Sequence, residues 1–237
     1  KAIEQGRTVY NNIRKFLRYI FDSNTPEASA PAVYLLSGGV VPVPLTVLQI
    51  LTIDIGTDMV PALGLGTEEA EDDIMKKPPR SSKERLLNKN VILVGFLWYG
   101  LIATLFALGG YFLSNALNGL PFAIAPEGSV AYARATTIML GGVIFAQIGM
   151  AMNNRTDYES VIKRGLFKNK YINAGIIIEI VIFIAIMYIP FLNDIFNTAP
   201  ISWMEWLYLL VIPFIVFGVE EARKKILRTY RQRRQNR

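Results

Sequence analysis

Asp54 and Asp58 stand one helical turn apart inside residues 45–66, LTVLQILTIDIGTDMVPALGLG, a run otherwise apolar enough to lie in a lipid bilayer. An aspartate at the centre of a membrane-crossing helix costs about 3 kcal/mol on insertion scales. Two on one face therefore persist where something cationic or wet receives them, and cation transport is the chemistry that placement points to. On the preceding segment Asn24 and Glu27 share a helical face, as Asp54, Thr57 and Asp58 do on theirs. The connector between the two segments, residues 38–44 (GGVVPVP), is so short that they must be antiparallel neighbours with their polar faces at similar depth. Three carboxylates with an amide and a hydroxyl nearby suit Na+, K+, Ca2+ or protons, which need oxygen ligands and charge compensation in a medium of low dielectric. Pro26 deprives a carbonyl one turn earlier of its donor, and Gly56 with Pro61 loosens the helix around the aspartates, so freed carbonyls add to the ligand supply.

A plainer reading makes Asp54 and Asp58 caps of a shorter helix and Glu27 a hydrogen-bonding partner of a neighbour. Three acids in two adjacent segments are too costly to be incidental, which weighs against it. Asp22 and Ser23 either line the same pathway or sit at the membrane edge. Glu179, the one acid in residues 171–190 (YINAGIIIEIVIFIAIMYIP), either completes a further cation site or bonds to a neighbouring helix. Gln147 reads as a packing or interhelical bonding residue, and the glycine pairs at 109–110 and 141–142 as sites of close helix contact. The sequence has neither histidine nor cysteine, which excludes imidazole bases, thiol nucleophiles and soft metal sites and leaves hard oxygen ligands.

The elements that must position these residues are membrane helices. Of the 237 residues 52% are hydrophobic, and apolar runs of spanning length lie near 16–37, 45–66, 91–113, 131–151, 172–190 and 203–219. The expected fold is an all-α integral membrane protein, a six-span transmembrane helical bundle with both termini cytoplasmic. The first span carries Arg18, Asp22, Asn24 and Glu27 with Pro26 and Pro31, so a hydropathy window underrates it. Of 25 Lys and Arg, all but Arg134 fall in residues 1–18, 67–90, 153–170 and 220–237, which the positive-inside rule assigns to the cytoplasm. That bias accounts for the net charge of +6 and the basic tail better than nucleic acid does. Trp203 and Trp206 fit an interfacial aromatic belt, and the sequon Asn154-Arg155-Thr156 is expected to be silent on the cytoplasmic side.

The expected organisation is a cytoplasmic stalk helix over 1–18, a cation-binding helical hairpin over 16–66, a cytoplasmic loop over 67–90, four further spans over 91–219 and a basic cytoplasmic tail over 220–237. No signal peptide is visible, and the stalk, with no initiator Met, is expected to continue from a preceding part of a longer protein. The 67–90 loop runs from acidic to basic, which a solvated loop explains and a docking surface for a soluble domain would also require.

SNTPE at 23–27, TIDIGTDMVPALGLGTE at 52–68, DIMKKPPR at 73–80 and YNNIRKFLRY at 10–19 together resemble the C-terminal membrane half of type II P-type cation-transporting ATPases. The resemblance covers nearly the whole chain and is most specific in the first two spans and the loop after them. It implies that Asn24, Glu27, Asp54, Thr57 and Asp58 are cation ligands, that the N-terminal helix leaves the phosphorylation domain, and that the 67–90 loop touches that domain. In such pumps ATP phosphorylates an aspartate in DKTG, and the two resulting states alternate access to the membrane site. DKTG and TGE are absent from this chain, as are the nucleotide domain and the first four spans, so the chain alone is expected not to hydrolyse ATP. Its implied partners are the lipid bilayer and the missing actuator, phosphorylation and nucleotide-binding domains with those four spans. ATP and Mg2+ would act only through them.

The resemblance also bears on the ion. Calcium pumps typically carry Asn at the position of Asp54 and Glu at that of Gln147, so Asp54 tilts the reading toward sodium/potassium-like pumps and a monovalent ion. Proton/potassium pumps have Lys where this chain has Ser23. Tyr19 and Glu179 match two residues of a third sodium site, but Met150 replaces its aspartate, and Glu179 is the less certain of the metal candidates. The expected activity is therefore ATP-driven Na+ transport with K+ or H+ counter-transport at the cell membrane. A calcium pump, a self-sufficient six-span channel or carrier, and an assembly scaffold are the alternatives.

Overall fold

A computed structural model of the chain describes residues 1–71, 74–75, 86–120 and 124–235. Residues 73 and 76–80 of the motif at 73–80, and half of the 67–90 loop, lie outside the described residues. All regular structure among the described residues is helical: α1 (Ala2–Leu36), α2 (Val47–Leu51), α3 (Met59–Gly66), α4 (Lys89–Ile92), α5 (Leu101–Leu117), α6 (Val130–Asn154), α7 (Val161–Arg164), α8 (Lys170–Tyr188), α9 (Pro190–Phe196) and α10 (Trp203–Gln235). Two π-helical stretches, Thr52–Thr57 and Leu93–Gly100, join α2 to α3 and α4 to α5.

Five described helical stretches are long and apolar enough to cross a membrane: Val47–Gly66, Leu93–Leu117, Val130–Asn154, Lys170–Tyr188 and Trp203–Tyr230. This is the pattern of a multi-pass membrane bundle. α1 does not reach that standard of hydropathy, because Lys15, Arg18, Asp22 and Glu27 are on its buried face. The exposed sides of the other helices carry residues such as Leu105, Val181 and Phe214, the surface lipid would cover.

The bundle is organised around α6. Its apolar stretch is 94% buried, against 28–44% for the other four, so α6 alone is enclosed while they keep a face outward. It packs against α1, α5, α8 and α10. The approach to α5 depends on Gly142, where an added Cβ would stand 2.8 Å from the Ala107 Cα, a backbone atom that cannot turn aside. The same device seats α8 on the hairpin, since a Cβ at Gly175 would lie 2.7 Å from the backbone nitrogen of Pro61.

The hairpin forms as its short connector requires. Gly38 and Gly39, at φ 65° and 81°, take left-handed conformations that let their N–H groups reach the Leu35 and Tyr34 carbonyls and stop α1. Thr46 caps α2, accepting from the Gln49 N–H at 3.3 Å while the Gln49 side chain accepts from the Thr46 N–H at 3.1 Å. Gln49 also donates to Thr136 Oγ1 and the Phe196 carbonyl, and Tyr132 donates to the Val43 carbonyl at 2.7 Å, so the connector end of the hairpin is tied to α6 and the end of α9.

At the opposite end, charged groups fold inward. Lys15 meets Glu71 at 2.8 Å, Arg155 meets Glu68 at 2.6 Å, and Arg18 meets Asp157 at 2.7 Å. Glu68 and Glu71 of the acid run after the hairpin are therefore buried counter-ions of the bundle, whereas Glu69 between them is exposed. Residues from 220 onward continue α10 as helix: Lys224 donates to the Asn153 carbonyl at 2.6 Å, and Glu220 accepts from Trp98 Nε1 at 2.9 Å. What reads in sequence as a basic tail begins as part of the bundle.

Candidate cation site

The local winding of the hairpin sets the site. From Thr52 to Thr57 the chain is π-helical, and the Asp58 N–H bonds to the Ile53 carbonyl, five residues back, at 2.9 Å. Pro61 follows in α3 and has no N–H to offer the Thr57 carbonyl, so the backbone there is both widened and short of a donor. On α1, Pro26 and Pro31 likewise leave the carbonyls of Asp22 and Glu27 without their helical donors.

Across this gap Glu27, Asp54 and Asp58 each offer a carboxylate oxygen, and the three oxygens all lie within 4.8 Å of one another. Glu27 and Asp58 are 7% and 2% exposed. Among the described residues, Asp58 Oδ1 and Oδ2 and Glu27 Oε1 have no hydrogen-bond partner. Ser23 and Gln147 stand near the Asp58 carboxylate without meeting hydrogen-bond geometry. A buried carboxylate cluster so short of donors is strongly destabilising, so the arrangement fits a cation, and the all-oxygen donor set fits Na+, K+ or Ca2+.

The other candidates fall around this cluster at different depths. Thr57 is fully buried, and its hydroxyl donates to the Ile53 carbonyl at 3.2 Å, leaving its lone pairs available. Asn24 is half-buried on α1. Asp54 is exposed, so the cluster opens on one side of the bundle. Glu179, fully buried on α8, accepts from Tyr19 at 3.4 Å, and its second oxygen has no hydrogen-bond partner among the described residues. It lies outside the three-carboxylate group.

Sequence reasoning left Asp22 and Ser23 open and read Gln147 as a packing or interhelical bonding residue. All three are fully buried, and both polar atoms of Gln147 lack a hydrogen-bond partner among the described residues. Asn154, noted only as part of a sequon, donates to Asp22 Oδ2 at 3.2 Å. The signal was present as spacing: Gln147 and Asn154 are seven residues apart on an apolar helix, two turns along one face.

The charged end differs in kind. Burial alone would push the Asp157 carboxyl up, but Arg18 and Lys15 outweigh it and hold the group below the usual carboxylate range. The hydrogen bond and charge of Lys168 hold exposed Glu69 below that range as well.

Residues 42–226 match the family described as "Cation transporting ATPase, C-terminus". The chain is similar to the calcium-transporting ATPase of Bacillus subtilis (strain 168), at 34% identity over 94% of this chain and 24% of that protein. It is similar to the sodium/potassium-transporting ATPase subunit alpha-2 of Pongo abelii at 28% identity, over 97% of this chain and 25% of the relative. It resembles the subunit alpha-B of Artemia franciscana at 29% identity over 96% of this chain. The chain thus spans about a quarter of the length of these relatives.

Proposed function

Since this chain belongs to the cation-transporting ATPase C-terminal family, the C-terminal transmembrane domain of P-type ATPases, we propose that it carries the ion-translocating site of an ATP-driven pump in the cell membrane. Glu27, Asp54 and Asp58 are the charged ligands, with Asn24 and Thr57 as neutral ones and Glu179 as an outlying acid. The observation that carries this reading is the convergence of three carboxylates within 4.8 Å where a π-helical turn faces a proline-bearing helix. α1 is the sixth span, and with both termini cytoplasmic the paired-charge end of the bundle faces the cytoplasm. Energy coupling belongs to the domains present in the longer relatives: their phosphorylation switches the hairpin between states open to either side. The exposed edge at Asp54 is where a span from the missing part of the pump closes the site.

In this mechanism the residues of the chain do three things. The carboxylates replace a cation's hydration shell, the freed carbonyls of α1 and of the π-helical turn complete it, and that turn lets the ligands shift without breaking a full ladder of helical bonds. The resemblance at Asp54, where calcium pumps typically carry Asn, favours a monovalent ion such as Na+ with K+ or H+ returning. Calcium is the second reading, favoured by the 34% identity to a calcium-transporting relative. In vesicles containing the full-length pump, ATP-dependent uptake of labelled Na+ against labelled Ca2+ decides between them. Asp58→Asn is expected to abolish cation-dependent phosphorylation from ATP, and unchanged phosphorylation and uptake would overturn the pump reading.

A further inference from the structure

Of the five residues of α2 only Gln49 is buried, while Val47, Leu48 and Leu51 are exposed. The buried contact is polar, and every polar atom of the side chain is engaged. Oε1 accepts from the Thr46 N–H at 3.1 Å. The two N–H groups of Nε2 are shared among Thr136 Oγ1 at 3.3 Å and the carbonyls of Phe196 at 3.1 Å and Asn197 at 3.3 Å. One side chain thus ties the start of the second hairpin helix to α6, the enclosed centre of the bundle, and to the end of α9. Asp54 lies five residues further on, across the start of the π-helical turn at Thr52. Beyond Asp54 the chain is held by close packing: a Cβ at Gly64 would stand 2.8 Å from the backbone nitrogen of Ile172, and α8 seats on Pro61 through Gly175. Asp54 therefore stands on a loosened turn between a segment fixed by backbone packing and one fixed by an amide. Ile53 is buried beside it, but apolar contact has no direction and lets a helix turn or slide, whereas hydrogen bonds fix its angle and height. The Thr52 hydroxyl donates within its own helix, to the Leu48 carbonyl at 2.9 Å.

We propose that Gln49 is the positioning residue for the Asp54 limb of the cation site. Its amide sets the height and rotation of α2 against α6, and through the turn that follows it sets where the Asp54 carboxylate meets those of Glu27 and Asp58. Asp54 depends on this more than its two companions do. Its side chain is exposed, so no packing of its own holds it at the cluster, whereas Glu27 and Asp58 are buried on α1 and at the start of α3.

This inference rests on reading Glu27, Asp54 and Asp58 as a cation site, and equilibrium binding to the full-length protein in lipid vesicles separates the two claims. Labelled Na+ and, in parallel, labelled Ca2+ are titrated without ATP, giving the half-saturating concentration and the number of ions bound. Gln49→Met keeps the length of the side chain and removes the amide. It is expected to raise the half-saturating concentration about tenfold, the worth of one or two hydrogen bonds, with the number of ions unchanged. Thr136→Val removes one of the three acceptors and is expected to shift binding less in the same direction, which keeps the test standing if Gln49→Met fails to assemble. The signature of positioning is non-additivity: in an Asp54→Asn background, Gln49→Met is expected to weaken binding no further. A Gln49 that merely supports the fold would weaken binding equally in both backgrounds, or lower the melting temperature with affinity unmoved, and either result would overturn the inference. So would an unchanged half-saturating concentration in either folded variant while the wild type binds. A wild type that binds neither ion would instead strike the cation site itself, and the inference with it.

Discussion

Glu205 and Asp58 are both almost completely buried acids, 1% and 2% exposed, yet their surroundings are opposite. Near the connector end of the bundle, Glu205 accepts from Ser114 Oγ at 2.5 Å on one oxygen and from the N–H and hydroxyl of Ser202 at 2.6 and 2.8 Å on the other. In the middle, neither oxygen of Asp58 has a hydrogen-bond partner among the described residues. At the far end Glu68 and Glu71 are equally buried and held by Arg155 and Lys15. The same side-chain chemistry is thus satisfied by Ser202 and Ser114 at one end, by cations at the other, and left short of partners between them. An acid that the fold completes is architecture, whereas one that it leaves incomplete is a place for a ligand.

If that division is right, the acids at the two ends fail in stability and the middle ones fail in binding. The largest effect belongs to the charged rim. Glu68→Gln in the full-length protein leaves Arg155 buried without its counter-charge and is expected to cost about 3–5 kcal/mol in thermal unfolding, with Na+ site number unchanged. Glu205→Ala orphans the donors of Ser114 and Ser202 and is expected to lower stability by about 1–3 kcal/mol, again without altering the site count. A loss of bound cation in either variant would blur the comparison.

The Asp157 carboxyl sharpens it through pH. Its folded-state titration is depressed, so its contribution is fully present above the unfolded value of about 3.9 and lost as pH falls below it. Asp157→Asn should weaken the protein at neutral pH and flatten the acid limb of an unfolding profile. An acid limb identical to that of the wild type would show that the Arg18 pair adds nothing. Least affected is the exposed Lys168–Glu69 pair, where Glu69→Gln should leave the melting temperature unmoved.

What the sequence made legible follows the same physics. Two acids in an apolar run are visible because hydrocarbon makes them anomalous, and the seven-residue connector makes α1 and the following helices neighbours without further information. The pairing of Arg155 with Glu68, 87 positions apart, has no local signature. Before folding, both residues look like ordinary charges in solvated loops. Gln147 reads as a packing or interhelical bonding residue and Asn154 as part of a sequon, because a neutral amide on a buried helix looks the same in sequence whatever it faces. The exposure of Asp54 was hidden too, since spacing on one helix says nothing about what covers it.

The most direct measurement is thermal unfolding of the full-length protein, wild type beside Asp58→Asn, with and without saturating cation. A ligand at one hundred times its Kd stabilises by about 2.7 kcal/mol. The account predicts that the cation raises the wild-type melting temperature, that Asp58→Asn without cation is at least as stable as the wild type, and that the variant gains nothing when cation is added. Equal cation stabilisation of both proteins would contradict it.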